Sequence, residues 1–119
     1  MDLIINILVL LIAFLHLYFL YFEMFAWTTK GKKIFNRFPS EFFEKTKGLA
    51  ANQGLYNGFL SAGLIWSVLI SNQEWSNYVA LFFLSCVAIA GIFGGKSVDK
   101  KIFLIQGVPA LIAIILLLI

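Results

Sequence analysis

The chain has 119 residues, of which 61% are hydrophobic and 13% are charged, and its mean hydropathy is +0.94. A soluble domain usually has about 25% charged and about 45–50% apolar residues, so this composition excludes a water-soluble globular fold. The sequence therefore predicts an integral membrane protein. Its net charge of +3 is best understood from the positions of its nine Lys and Arg residues.

The residue types exclude several kinds of site. A single cysteine, Cys86, rules out a disulfide within the chain and a metal site built from several thiolates. One histidine and one carboxylate in the apolar stretches fall short of the three or four ligands usual for zinc. The sequence contains no P-loop, dinucleotide fingerprint or nucleic-acid motif. We expect no metal, no cofactor and no nucleic-acid partner.

Four apolar stretches are long enough to cross a bilayer as helices. The first ends at Trp27, an aromatic residue of the type found at membrane interfaces. Short connections predict neighbouring antiparallel helices. The expected fold is all-α: residues 1–119 form a single membrane-embedded domain, an up-down-up-down four-helix bundle. Its predicted spans are residues 3–27, 48–70, 77–95 and 102–119.

The basic residues predict the orientation of these spans. All nine Lys and Arg residues lie in residues 28–47 and 96–101, and residues 71–76 contain none. Short loops rich in Lys and Arg stay in the cytoplasm. We therefore expect two basic cytoplasmic loops, both termini outside, and a multi-pass protein of the cell membrane.

The loop at residues 28–47 is the longest of the predicted connections. Pro39, Ser40 and Glu41 predict a helix start with Ser40 as its N-cap. Four phenylalanines alternate with the charges around this point. The pattern fits a segment lying on the membrane surface, with rings among the headgroups and lysines near anionic lipid. It fits a solvated loop equally well.

Polar residues inside the spans predict where a function would lie. An ionisable group in a membrane span is costly, so Glu23 and His16 are functional candidates, and their seven-residue spacing places them on one stripe of a helix. At about 1.5 Å per residue we expect two polar layers in the cytoplasmic half. One layer comprises Glu23, Asn52, Gln53 and Gln106; the next comprises His16 and Asn57, with Ser61 above them.

These polar and small residues also have plainer interpretations. Gly54, Gly58 and Ala62 repeat every four residues, a spacing that lets membrane helices approach closely, so we expect them to serve packing. The amides could form hydrogen bonds between helices and nothing more. Gln106 could satisfy backbone groups freed by Pro109.

The sequence resembles the domain-of-unknown-function 1304 family of small four-span membrane proteins. The resemblance covers essentially the whole chain and rests on HLYFLYFEMFAW at residues 16–27, LAANQGLYNGFLSAG at 49–63, AGIFGG at 90–95 and QGVPAL at 106–111. It implies a four-span fold and no particular activity. The motif positions are His16, Glu23, Trp27, Asn52, Gln53, Gly54, Tyr56, Asn57, Gly58, Gln106 and Pro109.

Three functions are consistent with this pattern. In the first, an intramembrane pocket binds a lipophilic small molecule and can act on it by proton transfer, with Glu23 and His16 as catalytic groups. In the second, the polar layers serve only helix assembly in a structural or accessory protein. In the third, a homo-oligomer transports a substrate coupled to protons. The expected ligand-binding residues are Trp27, Asn52, Gln53, Tyr56, Asn57 and Gln106.

Overall fold

The computed structural model describes residues 2–119, which are almost entirely helical and contain no strand. Two long helices frame a segment with two short ones, and two more long helices complete the chain. The helices are α1 (Leu3–Phe25), α2 (Lys30–Ile34), α3 (Ser40–Lys45), α4 (Lys47–Leu69), α5 (Gln73–Ser97) and α6 (Lys100–Leu118). Helix α6 contains a π-helical segment at Phe103–Gly107. The predicted all-α membrane fold is confirmed.

Three of the long helices, α1, α5 and α6, are long and apolar enough to cross a membrane. Helix α4 is as long as α1, at 23 residues. Lys47 and the amides of Asn52, Gln53 and Asn57 make it less apolar. Membrane crossing by residues 48–70 therefore stays a prediction.

Helix α5 is longer than the predicted span at residues 77–95. Its first turn uses residues that the sequence pattern assigns to a polar connection. The side-chain Oδ1 of Asn72 accepts a hydrogen bond from the backbone N–H of Trp75 at 3.0 Å, and Glu74 lies in the first turn. Both features stabilise a helix N-terminus, so the helix begins at Gln73.

The chain divides into two compact units, and the first comprises the chain through Phe14 together with Leu60–Ile119. Its core follows helical spacing, as Ile5, Val9 and Ile12 on α1 show. Small residues let the backbones approach, and Ser61 Oγ donates a hydrogen bond to the carbonyl of Ala13 at 2.8 Å. The remaining core residues are Ala13, Leu64, Ala80, Leu84, Val87, Ala88, Ala110 and Ala113.

Helices α5 and α6 pack backbone against backbone. A Cβ atom built on Gly91 would lie 2.4 Å from the backbone nitrogen of Gly107, and one built on Gly95 would lie 2.6 Å from Cβ of Phe103. No side chain could be added at Gly91 without moving a helix. Glycine at this position therefore allows the close approach.

The π-helical segment lies directly before Pro109. The N–H of Val108 donates to the carbonyl of Phe103, five residues back. Proline has no N–H and its ring clashes with the carbonyl four residues earlier, so a locally widened helix accommodates it. This widening, at Phe103–Gly107, is where the sequence placed a role for Gln106.

The second unit, Leu15–Phe59, contains the short helices of the predicted loop. Helix α3 begins at Ser40, but Pro39 occupies the N-cap position and no side-chain hydrogen bond caps the helix. Ser40 as N-cap was therefore wrong by one residue. The loop's aromatic rings contact one another: Phe43 is 0% exposed, and its ring lies 5.3 Å from that of Trp27. We call the rings of Phe22, Trp27, Phe35, Phe38, Phe42 and Phe43 the aromatic cap.

Candidate functional site

Glu23 and Asn57 form a direct side-chain hydrogen bond between α1 and α4. The amide Nδ2 of Asn57 donates to Oε1 of Glu23 at 2.6 Å. Asn57 is 8% exposed, while Glu23 is half-buried. A hydrogen bond of this kind typically contributes about 0.5–1.5 kcal/mol net, and leaving one of its partners unpaired costs more. The pair fixes one carboxylate oxygen of Glu23 in place.

The pairing shows how the two helices are aligned. Glu23 is two residues from the end of α1, and Asn57 is ten residues from the start of α4. The Cβ position of Gly54, seven residues from the start of α4, lies 3.1 Å from Cβ of Glu23, so at about 1.5 Å per residue α4 begins about 8 Å beyond the end of α1. The predicted layers assumed that both helices end at the same level. Because they do not, Glu23 pairs with Asn57, which the sequence had assigned to the next layer.

Two of the small residues hold the helices together at this point. A Cβ atom built on Gly54 would lie 2.8 Å from Cγ of Met24 and 3.1 Å from Cβ of Glu23. One built on Gly58 would lie 2.6 Å from Cδ1 of Leu20. Helix α1 therefore packs directly onto the glycines of α4, as expected of a small-residue stripe. Ala62, the third residue of the predicted stripe, is exposed.

The second carboxylate oxygen of Glu23 has a different environment from the first. Within residues 2–119, Glu23 Oε2 accepts no hydrogen bond, and it is not among the fully buried polar atoms that lack a partner. Glu23 as a whole is half-buried, so part of this side chain is exposed. A carboxylate oxygen that accepts no hydrogen bond from the protein, in an apolar setting, can accept a hydrogen bond or a proton from a bound molecule.

His16 lies two helical turns before Glu23 and is 0% exposed. Its ring meets Phe19 edge to face, with 5.3 Å between the ring centroids. Its seven-residue spacing from Glu23 places the two residues on one stripe of α1, of which His16 is fully buried and Glu23 half-buried.

The other predicted ligand-binding residues are more dispersed. Asn52 and Gln53, on the N-terminal part of α4, are exposed. Tyr56 is 56% exposed, with its ring 5.9 Å from that of Phe59. Gln106 is half-buried in the first unit. Of the predicted polar residues, the second unit brings Glu23 and Asn57 into contact.

Trp27 was predicted to bind a ligand, and in the structure its side chain forms contacts within the protein. Its indole Nε1–H donates to Oγ1 of Thr46 at 2.9 Å, and that hydroxyl donates to the carbonyl of Phe42 at 2.7 Å. Trp27 thus ties the end of α1 to the start of α4 within the aromatic cap. Thr46 was not singled out from the sequence, because a lone threonine in a basic loop carries no pattern.

Leu20 and Met24 were also missed, although they form the α1 surface against the glycines. Their positions in the sequence could have indicated them, because they lie three residues before and one residue after Glu23. Within residues 2–119, no three residues of the types His, Cys, Asp and Glu are grouped closely enough to hold a metal ion.

The helical fold and the apolar helices define an all-α integral membrane protein with a polar contact between two of its helices. Comparison with known sequences gives its family. The chain belongs to the family described as Protein of unknown function (DUF1304), whose profile matches residues 10–118. The resemblance stated from the sequence motifs is confirmed.

A relative extends this assignment to a bacterial protein of matching length. The chain is 32% identical over 111 residues to the uncharacterized protein YpaA of Lactococcus lactis subsp. lactis (strain IL1403), covering 92% of each chain. No solved structure matches the chain significantly.

Proposed function

We propose that this protein binds a lipophilic small molecule through the carboxylate of Glu23. The observation that carries the proposal is the hydrogen bond from Asn57 Nδ2 to Glu23 Oε1 at 2.6 Å, which leaves the second carboxylate oxygen of this half-buried side chain for a ligand. A ligand with a polar head that donates a hydrogen bond, and an apolar tail, matches this arrangement.

The carboxylate is held rigidly enough to act as a binding group. Gly54 lies against the Cβ atom of Glu23, and Asn57 fixes Oε1. The residues three and four positions before Glu23 are Leu20 and Phe19, so its surroundings on α1 are apolar. A polar group held by its neighbours in an apolar setting binds more strongly than the same group in water, because fewer competing waters surround it.

Proton transfer extends the same proposal. A donor atom of the ligand gives its proton to Glu23 Oε2, or takes one from it, and the amide of Asn57 stabilises the negative form of the carboxylate. His16 is the proposed second proton-carrying group, from its position on the same stripe of α1.

The proposed setting is the cell membrane, crossed four times with both termini outside. Its support is the distribution of the nine Lys and Arg residues, all of which lie in residues 28–47 and 96–101. We propose that α4 crosses the membrane together with α1, α5 and α6, and that these four helices form a bundle. Self-association of the chain in the membrane is part of the proposal as well.

The test is retention of ligand by Glu23→Gln. Gln keeps the shape of the side chain and an oxygen for Asn57, but removes the carboxylate. The wild-type protein is purified in mild detergent, and its organic extract is analysed by mass spectrometry for lipophilic molecules in stoichiometric amount. We expect Glu23→Gln to lose that molecule while keeping its melting temperature. The matched control is Glu41→Gln, an exposed glutamate of α3.

A structural role is the second candidate, and the glycine contacts favour it. Gly54 and Gly58 bring α1 and α4 together at the same level as the Glu23–Asn57 bond. A polar pair there can serve association of the two helices alone. If so, Glu23→Gln lowers the melting temperature, and no molecule co-purifies with either protein. That result would contradict the binding proposal.

A further inference from the structure

A groove lies on the first unit, between the C-terminal half of α5 and the start of α6. Its volume is about 590 Å³. Ile92 and Gly95 line it from α5, and Phe103 and Leu104 line it from α6. The lysines that line it, Lys96 and Lys100, flank the turn that joins the two helices. The groove is thus apolar along its length and basic at one end.

The shape of the groove follows from the helix contact beside it. Gly95 has no side chain, and a Cβ atom there would lie 2.6 Å from Cβ of Phe103, so the two backbones come close. Leu104 is 63% exposed and Ile92 is 40% exposed, so both present apolar surface to an occupant of the groove. An open apolar groove of this kind can hold part of a hydrocarbon chain against the two helices.

The lysines at the end of the groove have no acidic partner in the part of the chain that the structure describes. The ion pair seen within residues 2–119 is Lys32 with Glu44, in the other unit. The acid closest in sequence, Asp99, accepts a hydrogen bond from the backbone N–H of Lys101 at 3.0 Å, as the cap of α6. Both Lys96 and Lys100 are exposed. Their charges therefore remain available to an external anion.

We propose that this groove binds one anionic phospholipid. An acyl chain lies along Ile92, Gly95, Phe103 and Leu104, and the headgroup phosphate lies between Lys96 and Lys100. Basic pockets between membrane helices bind anionic headgroups because the ammonium groups pair with phosphate oxygens at the interface. The apolar channel explains why the occupant is a lipid and not a free anion. The proposal does not depend on a ligand at Glu23.

The experiment measures lipid retention on the purified full chain by native mass spectrometry. Protein in detergent is titrated with phosphatidylglycerol, with phosphatidylcholine of the same acyl chains, and with inorganic phosphate. We expect one phosphatidylglycerol to bind with clear preference over both. The variant Lys96→Gln/Lys100→Gln should weaken that binding about 25-fold, since each of the two lysines near a lipid surface contributes about fivefold.

Two further variants separate the groove from general charge effects. Lys45→Gln/Lys47→Gln removes two exposed lysines from the other basic segment and should leave the one-lipid complex unchanged. Ile92→Trp fills the channel from an exposed wall position and should weaken binding of phosphatidylglycerol without unfolding the chain. Equal loss in both double variants, or an unchanged complex in Ile92→Trp, would overturn the proposal. So would equal binding of the two lipids.

Discussion

Gly91 and Gly107 are in backbone contact, with a Cβ atom built on Gly91 only 2.4 Å from the nitrogen and 2.5 Å from the Cα atom of Gly107. The contact joins α5 to the π-helical segment of α6. Because backbone atoms cannot rotate away as the end of a side chain can, this position tolerates no larger residue without a shift of a whole helix.

Gly91→Ala should destabilise the protein by about 1–3 kcal/mol, the usual cost of overpacking, despite alanine's better helix propensity. The control is Gly48→Ala, near the start of α4, where an added Cβ meets no atom within 4 Å. That change should be neutral or stabilising by up to about 1 kcal/mol. Thermal unfolding in detergent, followed by tryptophan fluorescence, measures both. An equal effect of the two substitutions would contradict the contact.

The Glu23–Asn57 bond predicts a specific pattern in a double-mutant cycle. Asn57→Leu leaves a partly buried carboxylate without its donor, so it should lower stability by about 1–3 kcal/mol. Glu23→Leu/Asn57→Leu removes both partners and should recover most of that loss, since two apolar groups need no hydrogen bond. The control Asn52→Leu, at an exposed position of the same helix, should have little effect. Additive effects of Glu23→Leu and Asn57→Leu would show that the two residues do not interact.

The aromatic cap should depend on Phe43 far more than on Phe38. Phe43 is fully buried, and its Cδ1 atom lies 3.3 Å from the position of a Cβ on Gly31, whereas Phe38 is 37% exposed. Phe43→Ala should cost about 3–5 kcal/mol, the usual range for a buried ring, and Phe38→Ala clearly less. Chemical unfolding and limited proteolysis of residues 26–46 report the difference. Similar protease sensitivity in both variants would argue against a packed cap.

The proposed orientation can be tested with single cysteines. In a Cys86→Ala background, Ser71→Cys lies in the connection between α4 and α5, and Ser97→Cys lies at the end of α5; both serines are exposed. A membrane-impermeant maleimide applied to intact cells should label Ser71→Cys. It should label Ser97→Cys only after the cells are permeabilised. The reverse pattern, or equal labelling of both, would show that the distribution of Lys and Arg residues does not predict the orientation of this protein.

The sequence indicates which side chains need a partner, but not which residues they contact. Glu23 and Asn57 could be singled out because a carboxylate and an amide in apolar stretches need partners. Their pairing depends on where α1 ends relative to α4. Residues 26–46 connect the two helices, and no periodicity in the sequence encodes the offset. Gly91 and Gly107 likewise belong to recognisable motifs, but only the crossing of α5 and α6 brings them into contact.

Errors at helix ends had a different cause. Residues 71–76 look like a polar turn, yet Asn72 and Glu74 are typical of a helix start, and α5 includes most of them. At the start of α3, Pro39 occupies the N-cap position, and Ser40 is the first residue of the helix. In both places a few polar residues fitted two assignments, and local hydrogen bonds decided between them.

The offset of α4 also bears on the thickness of the bilayer. Past Gln53, residues 54–69 leave 16 residues of mainly apolar helix, about 24 Å long at about 1.5 Å per residue. A typical hydrocarbon core is about 30 Å thick. If α4 spans as proposed, lipids beside it must shorten or compress to cover this mismatch. Reconstitution into shorter-chain lipids should therefore stabilise the protein, and membranes of lesser thickness should be its preferred surroundings.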